Sequence, residues 1–534
     1  MSAGNRPARV TIPLAVTALA VAVHAGALPT YFAQDDITFL FRAAHHIPHP
    51  GLTRLLSAGL AISLEHGVFG LSPLGYHVVN LALHALNTLG VHALALRWTR
   101  SSSSAWLAAI GFGTSSIAFT PLHWVTGIVE LLTTALLLGA TLIHLRPGAA
   151  GPWRVVGALL LLVAALLSKE AAIPWVGVMV AVGALSGQGR TALRALLPAG
   201  VLTIAFIGYL VAGGIALDTA RHGAYALTLS PEFLTANLAT YIAWNLAAWN
   251  PIPDQAAVAD AGAWHVAAPL CVIIAFVIGR LPAPRRLPFY MGLFWWLAFL
   301  LPVLLLEHHT YYYYLYVPWV GGSIALAALL TGALETWNAR RAPMVCAAAA
   351  TIAVALQWRD IAYRSSAVHD ALPVDRTLRD ALLTRHAVLG LRAASLPEGT
   401  PVGFVNPVPR AATGPTRTRV SFEAPAGDAD AYVPLEAALR GGETLALLVP
   451  EVRYRGFATT IPYDWLDVEC FYYEQRGWLE RWGKGAQALR GQARVQRAAG
   501  QGLAADSTDR RIRALGDSLA DPGARRLTAS SRSR

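Results

Sequence analysis

The sequence predicts an all-α polytopic membrane bundle of about eleven transmembrane helices, followed by a small C-terminal α/β domain. Three observations predict it. Of 534 residues, 55% are hydrophobic and only 14% charged, against roughly 25% charged in an average soluble domain. The apolar residues gather in tracts close to the roughly 20 residues that an α-helix needs to cross a bilayer. The arginines lie between these tracts in a regular alternation.

The apolar tracts run at about 10–29, 75–96, 104–121, 125–144, 153–168, 171–187, 195–215, 264–281, 287–306, 312–334 and 343–357. Arg6 and Arg9 precede the first. Arg97 and Arg100, Arg146 and Arg154, Arg190 and Arg194, Arg280, Arg285 and Arg286, and Arg340 and Arg341 fall at every second junction thereafter. With eleven crossings all of these clusters share one side, which the positive-inside rule makes the cytoplasm. The N-terminus is then cytoplasmic and everything after about 358 extracytoplasmic. The Ala-, Arg- and Gly-rich composition suggests a bacterial inner membrane. Arg6, Arg9 and the small residues at 25–27 also fit a cleavable signal peptide, which leaves the side of Asp36 unchanged.

Two longer segments do not cross. Residues 31–74 read as an outer loop with one amphipathic helix lying in the interface. Residues 217–263, with "YIAWNLAAWNPIPD", read as a helix in the aromatic belt. The transmembrane unit is 1–357. Residues 358–485 form the α/β domain, with "VDRTLRDALLTRHAVLGL" helical and "TPVGFV" and "ETLALLV" as strands. Residues 486–534 form a basic tail expected to be disordered, whose charge suits an anionic lipid or polysaccharide. The net charge of +11 sits in loops and tail, which argues for topology rather than nucleic acid. Cys271, Cys346 and Cys470 have no metal-ligand spacing.

The remaining polar residues converge on the outer side. Asp35 and Asp36 stand at the mouth of the first span, where one carboxylate can serve as general base or both can hold a divalent cation, Mg or Mn. Lys169 and Glu170 lie between two apolar tracts; Lys169 can meet a phosphate as a point charge, and a snorkelling pair is the plainer alternative. His123 sits at another outer junction. His308 and His309 precede a tyrosine run that includes Tyr313, a pattern that fits either an aromatic belt or a lipid-phosphate sugar site. Tyr76, His77, Asn80, His84 and Asn87 share one helical face, suited to hydrogen bonds between helices.

In the same order along the chain, "AQDDITFL", "FGLSPLGYHVVNLALHALNTLGVHAL", "FTPLHWVTGIVELLTTALLL", "LLSKEAAIPW" and "HHTYYYYLYVPWVGG" resemble the multi-spanning GT-C glycosyltransferases. The resemblance is to bacterial proteins related to protein O-mannosyltransferases and to the membrane half of TMTC-type enzymes. It implies a polyprenyl-phosphate sugar as donor and a glycan, lipid or protein hydroxyl as acceptor. It also implies a first-loop acid, Asp35 or, in preference, Asp36, as base or metal ligand, with Lys169, His308 and His309 facing the donor phosphate. No tetratricopeptide repeat follows residue 358, which sets the chain apart from the animal enzymes. A lipid-saccharide flippase predicts charges near mid-membrane and an inverted repeat, and neither is visible. A polysaccharide polymerase or ligase would use a similar donor.

Overall fold

The computed structural model describes residues 6–146, 151–187, 189–213, 227–245, 261–307, 309–338, 340–368, 372–407, 434–474 and 478–520. Helix α1 (Arg6–His24) leads to α2 (Asp35–Ala44), a π-helical stretch Leu55–Ala61 and α3 (Ile62–Phe69). Then come α4 (Pro73–Thr99), α5 (Ser102–Gly113), α6 (Phe119–His123), α7 (Ile128–His144), α8 (Pro152–Ser168), α9 (Trp175–Leu185) and α10 (Gly189–Ala212). The bundle closes with α11 (Pro231–Trp244), α12 (Trp264–Arg280), α13 (Ala283–Leu304), α14 (Tyr316–Asn338) and α15 (Ala342–Ser365).

Among the described residues, seven helices are long and apolar enough to cross a membrane: Pro73–Thr99, Ser102–His123, Val125–His144, Leu193–Ala212, Ala283–Leu304, Tyr312–Trp337 and Ala342–Ser365. The other four predicted tracts are shorter apolar helices, Pro13–Ala27, Pro152–Ser168, Glu170–Leu185 and Trp264–Arg280. The protein is a multi-pass membrane protein with a helical bundle and a small C-terminal sheet domain.

Contacts between junctions define two ends of the bundle. At one end Arg97 Nη2 donates to Leu145 O at 2.7 Å, and Arg285 Nη1 donates to Gly332 O at 3.2 Å. At the opposite end Tyr209 Oη, near the close of α10, accepts from Leu52 N at 2.9 Å. There α11 stays put: Asn237 Nδ2 donates to Leu304 O at 3.1 Å, and Thr310 Oγ1 donates to Asn237 Oδ1 at 3.1 Å. The described part of the segment that the sequence excludes as a crossing thus holds a helix of 14 residues resting at one end; residues 217–226 and 246–260 lie outside the described residues. Midway, α13 and α14 approach closely at Gly292 and Gly321. A Cβ on Gly292 would lie 2.5 Å from Gly321 O, so small residues let these backbones meet.

The first non-crossing segment holds two helices where one was expected. Helix α2 buries Asp36, Ile37, Leu40 and Ala43, a stripe at helical spacing. That stripe packs into a core shared with the C-terminal domain, through Phe32, Ile37, Leu40, Val125, Leu383, Val388, Phe404 and Leu445 among others. A buried ion pair joins the two units. Arg364, at the end of α15, pairs with Asp375 (Nε to Oδ2, 3.1 Å). Its Nη2 also donates to Thr120 Oγ1 at 2.8 Å, and its guanidinium lies 4.3 Å over the Phe119 ring. Asp375 in turn caps α16 (Arg376–Ala393), accepting from Thr377 N at 2.9 Å, the usual task of an aspartate at this position.

The domain holds a short antiparallel pair, β1 (Ala367–Val368) with β2 (Leu372–Pro373), and a four-stranded mixed sheet. Its strands are β3 (Thr400–Val405), β4 (Val452–Ala458), β5 (Glu469–Tyr473) and β6 (Leu479–Gly483), in the order β4-β3-β5-β6. β3 is parallel to both its neighbours, and β5 and β6 are antiparallel. "TPVGFV" is a strand as expected. "ETLALLV" is not: after α17 (Pro434–Leu439), Glu443–Leu448 forms helix α18. Arg440, Gly441 and Gly442 take φ of 47°, 58° and 97°. That turn redirects the chain into a helix of Ala and Leu, which are strong helix formers; a short apolar run alone does not distinguish the two.

The described part of the tail, to residue 520, also departs from expectation, while residues 521–534 lie outside the described residues. Gly485–Ala498 and Gly502–Ala520 are helices α19 and α20. Between its arginines α19 buries Ala488, Leu489, Gln492, Ala493 and Gln496, and Ala488 and Leu489 pack into a core with Trp482. Thr508 of α20 donates to Gln496 Oε1 at 2.9 Å and accepts from Gln492 Nε2 at 3.0 Å. Small and polar residues at helical spacing make this interface, so mean composition hides it.

Candidate active site

The site is built from the polar face of α4. His77 Nδ1 donates to Leu122 O at 2.9 Å, and Asn80 Nδ2 donates to Trp124 O at 3.0 Å. Deeper along the same face, His84 Nε2 donates to Gly113 O at 2.9 Å, and Asn87 Nδ2 donates to Leu131 O at 2.9 Å. These bonds link helices as the spacing of the residues predicts. The first two also fix the tight turn at 122–127. Gly127 lies so close to Pro121 that a Cβ there would sit 2.0 Å from Pro121 O.

That turn points its donors at Asp36. The carboxylate accepts from Thr126 N (2.7 Å), Thr126 Oγ1 (2.7 Å), Val125 N (3.4 Å) and Ala33 N (3.0 Å). Asp36 is wholly buried. Burial pushes its pKa up to about 7 from the ordinary 3.8, against the pull of the four donors, which favour the anion. Its neighbour faces elsewhere. The Asp35 side chain is 48% exposed, and Arg440 Nη1, from the turn before α18, donates to its Oδ1 at 3.2 Å. Two more bonds join this loop to the domain: Gln34 Nε2 donates to Asp380 Oδ2 at 3.0 Å, and Thr38 Oγ1 donates to Glu443 Oε2 at 3.2 Å.

From the same turn an aromatic path leads onward. Trp124 meets Tyr313 edge-on at 5.9 Å, Tyr313 lies 4.7 Å from Tyr314, and Lys169 Nζ sits 5.0 Å over the Tyr314 ring. Lys169 is buried in an ion pair with Glu130. His309 is buried and meets Tyr311 edge-on at 4.9 Å. His123 is buried, stacked on Phe119 at 3.9 Å, with its Nδ1 donating to Phe119 O at 2.9 Å. Glu170 accepts from Arg54 Nη2 at 3.0 Å. Around Arg54, burial first and then the positive charge of Arg42 and Arg54 hold the His49 imidazole below its ordinary pKa. His308 lies outside the described residues.

Asp35, Asp36, His123, Lys169, Glu170, His309 and Tyr313 therefore all lie at one end of the bundle. The two acids do not form a cation site. Asp36 turns to the 124–127 turn, where its oxygens already accept four bonds, and Asp35 turns to Arg440. Among the described residues no group of three or more His, Cys, Asp or Glu side chains is placed to hold a metal ion. The expected Mg or Mn on this pair does not fit these residues. The sequence reading missed Glu130, Arg54, Thr126 and Arg440. A lone carboxylate within an apolar tract is itself a signal, and it would have found Glu130; no local signal marks Arg440.

No family model matches the chain, and no curated protein matches it. Among solved structures it is similar to ArnT from Cupriavidus metallidurans, in a structure bound to undecaprenyl phosphate. Identity is 11%, 86% of this chain and 92% of that chain are covered, and the TM-score is 0.47. It is also similar to the oligosaccharyltransferase of Archaeoglobus fulgidus, in a structure tethered to an acceptor peptide. There identity is 12%, coverage 74% of this chain and 61% of that chain, and the TM-score 0.38.

Proposed function

We propose that the protein is a membrane glycosyltransferase that moves a sugar from a polyprenyl-phosphate donor to an acceptor hydroxyl on the extracytoplasmic face. One observation carries the reading. The first-loop acids, the 122–127 turn, the Lys169–Glu170 junction and the tyrosine run, far apart in sequence, meet at one end of the bundle. That end also bears the folded domain. The arginine-rich junctions lie at the other, which the positive-inside rule makes cytoplasmic.

The two acids divide the work. Asp36, enclosed and fully bonded, clamps the loop to the 124–127 turn. Asp35, half-exposed beside it, is the base. It takes the proton of the acceptor hydroxyl as that oxygen bonds to the anomeric carbon; the bond from that carbon to the phosphate oxygen breaks, and lipid phosphate leaves with the electron pair. Phosphate needs no general acid to leave, but its developing charge needs cations. Arg42, in the last turn of α2, and Arg54, on the loop that follows, supply them. Lys169 acts from within, holding Glu130 and the Tyr314 ring in place.

The test is release of free polyprenyl phosphate from a panel of labelled polyprenyl-phosphate sugars, with crude envelope as acceptor. Release by the wild type that collapses in Asp35→Asn supports the reading. Release that is equal in both removes Asp35 as base. Bound but uncleaved donor across the panel moves the assignment to a flippase.

A further inference from the structure

The C-terminal sheet has two covered faces. One, through Val402, Phe404 and Phe471, shares a core with α2 and the bundle. The other, through Val405, Cys470 and Trp482, is covered by α19 and by the partly buried Ile512 and Leu515 of α20. On this second face, turned away from the bundle, an open cavity of about 400 Å³ lies between α20 and the turn Tyr463–Trp465. Small-molecule sites begin at roughly 300 Å³, so this one has room for one or two sugar rings.

The lining has one chemical character. Ser507, Arg510, Arg511 and Ala514 share one face of α20 and line the cavity with Tyr463. Arg511 is held in place: its Nη2 donates to Ile461 O at 2.7 Å, and its guanidinium lies 4.2 Å over the Tyr463 ring. Its buried Nε has no hydrogen-bond partner among the described residues. Tyr463 as a residue is nonetheless 77% exposed, which leaves surface open for a further partner. Of the nearby acids, Asp464 pairs with Arg455 at 3.2 Å and Asp509 pairs with Arg497; Asp467 and Asp506 neighbour the lining in sequence, but no acid lines the cavity itself. The cavity is therefore cationic, with an aromatic wall and a hydroxyl.

We propose that this cavity binds an acidic saccharide, a sugar ring that carries a carboxylate or a phosphate. The guanidinium fork of Arg510 or Arg511 matches the planar anion. Tyr463 offers its apolar face to the C–H face of the ring, and Ser507 reaches a ring hydroxyl. The site lies on the far side of the sheet from the candidate active site, so it holds the enzyme to an anionic glycan rather than carrying out the transfer. It also gives a use to the basic C-terminal helices, which the transferase reading leaves without one.

The test is binding of trigalacturonate and glucose 6-phosphate to the full-length protein in detergent by calorimetry, with maltotriose as neutral control. No transferase activity is needed, so its outcome is separate from that of the proposed function. Wild type should bind at least one acidic probe at least tenfold more tightly than maltotriose, with affinity falling as salt rises. Arg510→Gln, at an exposed position, should weaken binding several-fold, and Arg510→Gln/Arg511→Gln should abolish it with the helical circular dichroism unchanged. Tyr463→Leu should weaken the sugar probes while leaving inorganic phosphate unaffected. Equal affinity for maltotriose, unchanged binding in Arg510→Gln, binding of inorganic phosphate alone, or no binding of either acidic probe overturns the proposal.

Discussion

The two ends of the bundle treat charge in opposite ways. At the arginine end the charges stay in water and steady helix ends: Arg97 caps Leu145 O, Arg286 Nε donates to Leu281 O at 2.6 Å, and Arg285 pairs with Glu335 with side chains 37% and 42% exposed. At the site end two ion pairs are buried, beside the half-exposed Asp35. Lys169 and Glu130 are 8% and 6% exposed, and Arg364 and Asp375 are 5% and 1% exposed. An exposed pair contributes roughly 0–1 kcal/mol, whereas losing one partner of a buried pair costs about 3–5 kcal/mol because the other charge is stranded. Topology alone explains the first end. Only a need for fixed polar geometry explains the second.

The sharpest way to break this comparison is at Asp35. Asp35→Asn should lower turnover by about 10²–10⁴, the range for a lost general base, with thermal stability kept because the side chain is half-exposed. Next comes the buried pair. Lys169→Met alone should destabilise by about 3–5 kcal/mol, and adding Glu130→Gln should recover much of the loss, as read by denaturant unfolding in detergent. A double variant no more stable than the single one contradicts the pairing.

Asp36→Asn should cost about 1–3 kcal/mol, since an amide group would face N–H donors. It should also change the pH profile. The folded pKa, about 7, stands above the ordinary 3.8, so the native state keeps a proton that the unfolded chain releases. The resulting stabilisation is full below about 4 and lost as pH rises through about 7. Wild type should lose that contribution across this window, and Asp36→Asn should not. Least affected should be Arg97→Gln at the far end, within about 0.5 kcal/mol of wild type.

Much of this was legible in the sequence, for a physical reason. Spans announce themselves because bilayer thickness sets their length, and all eleven tracts are helical. The polar face of α4 was legible because helical periodicity places Tyr76, His77, Asn80, His84 and Asn87 together. What was hidden depends on long-range contact. The different environments of Asp35 and Asp36 arise from Thr126 and Arg440, distant in sequence. The burial of Lys169 against Glu130 was hidden because its partner lies in another tract. "ETLALLV" has no period that separates strand from helix, and the left-handed turn at Arg440–Gly442 decided it. The tail read as disordered because Ala and Gln, which build the α19 interface, carry little hydrophobic signal.

The central claim is that adjacent acids do different jobs, Asp36 holding the loop and Asp35 carrying the proton. Its most direct test is the single-turnover rate of lipid-phosphate release for Asp35→Asn and Asp36→Asn, measured at a temperature where both are fully folded. Asp35→Asn should be slow by about 10²-fold or more and Asp36→Asn within about tenfold of wild type. The reverse order, with Asp36→Asn folded yet inactive and Asp35→Asn near wild type, would contradict the account.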